Sequence, residues 1–137
     1  MTQSDAVHNL DQLTEEFRVN GFVVLEDLVA REKIDRVLEA WVPIRDEDIR
    51  RQGPNPVRGT RRYNVRVPFQ EPFVDPEILD HPTLVQIIER LLGPDCYWSH
   101  FDSNVPLPGT DFQQWHRDAV HALFPGVVTP PYHLTVK

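Results

Sequence analysis

The sequence predicts an α+β fold, and three observations carry that reading. Apolar residues recur at helical spacing around Leu13–Phe17, Ile34–Trp41 and Leu84–Leu91. Short β-rich or alternating runs occupy residues 22–25, 62–67, 96–105 and 132–136. The helical patterns all fall before residue 95, and the stretch after it carries strand patterns.

Residues 1–9 are polar and expected to fray. Asp11 is a candidate N-cap for a first helix with Leu13 and Phe17 on one face, and Asn20-Gly21 is its stop signal. Phe22 to Leu25 (FVVL) reads as a short buried strand. A second helix is expected from about Ala30 to Trp41, with Ile34, Val37, Leu38 and Trp41 facing the core and Pro43 ending or bending it. Residues 46–62 contain glycine, proline and asparagine and break any period, so they read as a long loop. Arg50, Arg51, Arg58, Arg61, Arg62 and Arg66 cluster in or just after it. They are either a grip on an anionic group or, as the favoured reading, solvated charges in an acidic protein.

Tyr63, Val65 and Val67 alternate with Arg62, Asn64 and Arg66, the pattern of a half-buried strand. Pro68, Pro72 and Pro76 exclude regular structure after it. Pro82 opens a helix at its first turn, Leu84, Ile87, Ile88 and Leu91 form its core stripe, and Gly93-Pro94 stops it. Cys96 to Val105 is expected to be a strand, with Tyr97, Ser99, Phe101, Ser103 and Val105 on one face. Trp98, His100, Asp102 and Asn104 share the other, which either meets solvent or lines a polar cavity. A turn at 106–109 follows, and Tyr132 to Val136 reads as a last strand.

At 137 residues with 40% hydrophobic content, the chain can bury a core as one domain without disulfides. Its single cysteine, Cys96, forms no internal bridge, so a reducing, cytoplasmic setting is expected. A net charge of −7 argues against nucleic acid as the main partner, and no window is long and apolar enough to span a membrane.

The chemistry concentrates in Asp111-Phe112-Gln113-Gln114-Trp115-His116-Arg117-Asp118. His116 and Asp118 are two apart, so in extended backbone they project to the same side. An imidazole and a carboxylate converging there are two of the three donors of a 2-His-1-carboxylate facial triad, which leaves positions open on a ferrous ion. His100-Phe101-Asp102 is a second His-x-Asp, and such a pair is more often hydrogen-bonded than metal-bound. Trp115, as an apolar wall, and the apolar run Ala119–Pro125 distinguish the His116 copy.

Phe17-Arg18-Val19-Asn20-Gly21-Phe22-Val23-Val24-Leu25, Leu91-Leu92-Gly93-Pro94, and Trp115-His116-Arg117-Asp118 with Phe124-Pro125 after it occur in an order and spacing that resembles the phytanoyl-CoA dioxygenase family. Its members are iron(II)- and 2-oxoglutarate-dependent oxygenases. By that resemblance His116 and Asp118 are the first two iron ligands. Asn104 stands where members often place a residue touching 2-oxoglutarate, and His100 on the same face lines the pocket. Val105 departs from the pattern, since many relatives carry a basic residue there. The resemblance implies a double-stranded β-helix of jelly-roll or cupin type, with N-terminal helices packed on the sheet.

On this expectation, residues 1–137 hold an incomplete version of that fold. Residues 10–95 are its scaffold, and 96–137 its first barrel strands with the metal half-site. The family's distal histidine ligand and 2-oxoglutarate-binding arginine fall beyond Lys137 in its pattern, so the chain is expected to be the N-terminal portion of a longer enzyme. An open sheet edge would then favour self-association. The expected activity is hydroxylation of a small organic substrate with dioxygen, because halogenating relatives replace the carboxylate ligand and Asp118 is present. Two other classes are a non-catalytic remnant or binding module of the same fold, and a metal-dependent hydrolase built on His116 and Asp118. His121 and His133 are further imidazoles that could stand in as a third ligand.

Overall fold

The computed structural model describes residues 10–54, 56–116 and 132–137. The chain divides into two compact units. One draws on Met1–Leu28, Asp80–Tyr97 and His116–Lys137, the other on Val29–Leu79 and Trp98–Trp115.

In the first unit, α1 (Leu10–Asn20) packs against α4 (Pro82–Leu92). Leu84, Ile87 and Leu91 are buried on α4, as the i, i+3, i+7 stripe requires. Thr14, buried on α1, satisfies its hydroxyl on the Leu10 carbonyl at 2.6 Å, a short-range bond that spares the interior an unpaired donor. Asp11 lies within the first turn of α1 rather than capping it, 3.7 Å from Arg90. Pro82 sits at the start of α4, and the Nδ1 of His81 accepts the Thr83 N–H at 3.2 Å. Both helices end where a glycine takes the left-handed backbone that side chains resist, Gly21 at φ 79° and Gly93 at φ 92°.

The expected strand over 22–25 is not formed. Phe22 and Val24 are 62% and 64% exposed, and no described strand pairs with the segment, so β-propensity alone does not make a strand there. Residues 132–136 likewise form no strand.

The second unit is built on α2 (Arg31–Gln52), which continues past Pro43. The sequence places an end or a bend at that proline and a loop from residue 46; the helix does not end there, and residues 46–52 are its continuation. Proline removes one backbone bond, but Trp41, Ile44 and Ile49 on either side of it pack against the buried cluster of Tyr63, Val65 and Val105. Glu47 pairs with Arg50, and Asp48 with Arg51, one turn apart, adding local support. Ile34 and Leu38 remain half exposed, so the core-facing stripe of α2 lies further along than expected.

β1 (Arg62–Arg66) pairs antiparallel with β2 (Asp102–Pro106). Tyr63 stands opposite Val105 and Val65 opposite Ser103, which puts the buried residues of both strands on one face. β2 is shorter than the expected strand over 96–105. Pro76, expected to exclude regular structure, instead opens the short helix α3 (Pro76–Leu79). Lys33 on α2 reaches Asp75 at 2.8 Å and Glu77 at 2.9 Å, fastening α3 to the long helix. The Lys33 contact holds the Asp75 carboxyl below its ordinary value, and the same contact raises the Lys33 ammonium.

The observed class is therefore mixed helix with a small antiparallel sheet of two strands among the described residues. No helix among them is long and apolar enough to cross a membrane.

Candidate functional site

The β1–β2 ribbon has a second face, and it is polar. Side chains alternate along each strand, so Arg62, Asn64 and Arg66 share it with Asp102 and Asn104, and the register sets Asn64 directly opposite Asn104. Asp102 and Asn104 on this face are exposed, and Arg62 and Asn64 are half-buried. Asn64 Nδ2 donates to Asp102 Oδ2 at 2.8 Å across the strands. The Asn104 amide is exposed and has no hydrogen-bond partner among the described residues, so both its donors and its acceptor are available to a ligand.

His100 lies just before β2, exposed, with Nδ1 3.1 Å from Ser99 Oγ. The second His-x-Asp thus engages separate partners, His100 with Ser99 and Asp102 with Asn64. Phe101, between them, makes edge-to-face contacts with Phe69 at 6.1 Å and with Trp98 at 6.2 Å.

Past β2 the chain turns and runs beside the start of β1. The Leu107 N–H donates to the Arg61 carbonyl at 3.0 Å, and Thr110 Oγ1 to the Thr60 carbonyl at 2.9 Å. The Arg62 guanidinium then donates to Gln113 Oε1 at 3.0 Å and to the Asp111 carbonyl at 2.7 Å. Arg62, Thr110, Asp111, Phe112 and Gln113 line an open hollow there. Arg62 was one of a group of basic residues in the sequence, but its two acceptors, 49 and 51 positions away, become visible only through the strand pairing. Arg50 and Arg51 in the same group pair with Glu47 and Asp48 on their own helix.

His116 is exposed in the structure. Trp115, expected to form an apolar wall beside it, is 95% exposed and walls nothing off among the described residues. Asp118, His121 and the run 119–125 lie outside the described residues. An imidazole and a carboxylate suit a ferrous ion in donor type. The described residues supply the first, and no three His, Cys, Asp or Glu side chains among them come together to hold a metal.

A protein-family model described as Phytanoyl-CoA dioxygenase (PhyH) matches residues 17–137. No solved structure matches the chain.

Proposed function

The chain belongs to the phytanoyl-CoA dioxygenase family, and on that footing we propose that it carries the iron half-site of a 2-oxoglutarate-dependent oxygenase that hydroxylates a small organic substrate. The family is one of iron- and 2-oxoglutarate-dependent oxygenases in general. The observation that carries the reading is the extent of the match, which takes in all of the segment from Trp115 to Asp118.

In this reading His116 would supply a ring nitrogen and Asp118 a carboxylate oxygen to the ion, with a third donor from outside these two positions. Bound iron with 2-oxoglutarate supplies the activation of dioxygen, with succinate and carbon dioxide as the coproducts. The residues of this chain bind and orient. Asn104, exposed and without a hydrogen-bond partner among the described residues, offers two N–H donors and a carbonyl to the cosubstrate. His100 is the second pocket residue, preceding the same strand. Residues 10–95 act as scaffold for 96–137, as parts of a double-stranded β-helix.

Succinate formation measured with iron(II), 2-oxoglutarate and dioxygen tests the assignment. Succinate that appears only when all three are supplied is the expected result. Iron bound without any succinate would favour a non-catalytic member of the same fold.

A further inference from the structure

We infer that Arg62 is a positioning residue for the iron half-site: its guanidinium fork fixes residues 111–113, and through them where the chain can place His116. This rests on the reading of His116 as an iron ligand.

Arg62 opens β1, one residue before Tyr63, whose ring is buried in the core of the second unit and whose hydroxyl donates to the Gly53 carbonyl at 2.9 Å. Its backbone is therefore held on a rigid element, while its side chain leaves on the polar face. The two bonds it makes go to acceptors of different kinds, the Gln113 side-chain amide at 3.0 Å and the Asp111 backbone carbonyl at 2.7 Å. A planar fork with divergent N–H groups can serve both at once; an ammonium is a point charge and cannot hold both in one geometry. The bonds from Leu107 to Arg61 and from Thr110 to Thr60 run in series with them. Together they lead the segment along β1 as far as Gln113.

From that anchor the reach of the chain is short. His116 follows Gln113 by three residues, so its Cα lies within about 11 Å of the Gln113 Cα whatever the intervening conformation. Releasing residues 111–113 would let the imidazole sample a much larger volume and add an ordering cost to every metal-binding event. Groups hydrogen-bonded directly to a metal ligand commonly change metal affinity by about 10- to 100-fold, and Arg62, acting through three intervening residues, belongs at the low end of that range.

Cobalt(II), a spectroscopic stand-in for the ferrous ion, is the probe. The 137-residue chain is titrated as wild type, His116→Ala, Arg62→Ala, Arg62→Lys and Gln113→Ala, with Kd and the visible ligand-field bands as readouts and melting temperature as a fold control. Expected are loss of binding in His116→Ala, about a tenfold weaker Kd in Arg62→Ala, and intermediate values in Arg62→Lys. Gln113→Ala, which alters an exposed side chain, should weaken binding with its melting temperature unchanged, and it decides the matter if Arg62→Ala does not fold. Wild-type Kd and bands in both Arg62→Ala and Gln113→Ala, with binding lost in His116→Ala, would overturn the positioning role alone. Wild-type binding by His116→Ala would instead remove the half-site reading on which that role depends.

Discussion

Val65 and Arg62 stand three positions apart on one strand and face opposite ways. Val65 is fully buried between Tyr63 and Val105, in a core with few other wholly enclosed side chains. Val65→Ala removes two buried methyl groups and leaves a void that its neighbours fill only in part. The expected loss is about 2 kcal/mol in chemical denaturation, and an unchanged unfolding midpoint would show that the cluster does not hold the second unit together. The alternation over 62–67 already assigned Tyr63 and Val65 to the interior and Asn64 to the other face, because a period of two is a local property of the chain. It likewise set Asn104 opposite in sense to Val105. What Arg62 does was not legible, since a salt-exposed arginine and one gripping a distant segment look alike until the register Arg62↔Pro106 is known.

At the level of elements, the junction between α2 and α3 is ionic. Lys33, Asp75 and Glu77 meet there, with Arg36 at 4.0 Å from Asp75. The Lys33 contact, aided by the Glu77 N–H, lowers the Asp75 carboxyl from its ordinary 3.8; the stability this adds is present above that value and lost as pH falls through the depressed folded value. The contacts with Asp75 and Glu77 raise Lys33 from 10.5; that contribution is present below 10.5 and lost as pH rises through the raised folded value. Lys33→Met should therefore lower the melting temperature throughout the range between 3.8 and 10.5, with the difference from wild type closing outside it. A difference that stayed constant down to about pH 2 would exclude the ion pair as its source.

Elements with local start and stop chemistry were readable in advance. α4 has proline at its first turn, an unbroken aliphatic stripe and a terminal glycine, and it forms where expected. α2 was cut short because Pro43 is a local stop signal, whereas the packing of Ile44 and Ile49 that carries the helix onward is tertiary. The run at 22–25 failed for the converse reason: its residues favour strand, but no described strand stands beside it.

For the molecule as a whole, the mixture of helices with an antiparallel sheet was legible, and so was the family, through the order of three separated segments. The arrangement of the polar ribbon was not, because Asn104, Arg62 and Gln113 belong to parts of the chain that only long-range pairing relates. His116 and Asp118 are proposed to grip one ferrous ion. The most direct test of that proposal is anaerobic iron(II) binding by wild-type chain and by Asp118→Ala, followed by equilibrium dialysis. Saturable binding by the wild type that is abolished in Asp118→Ala is the expected result; undiminished iron in the variant would contradict it.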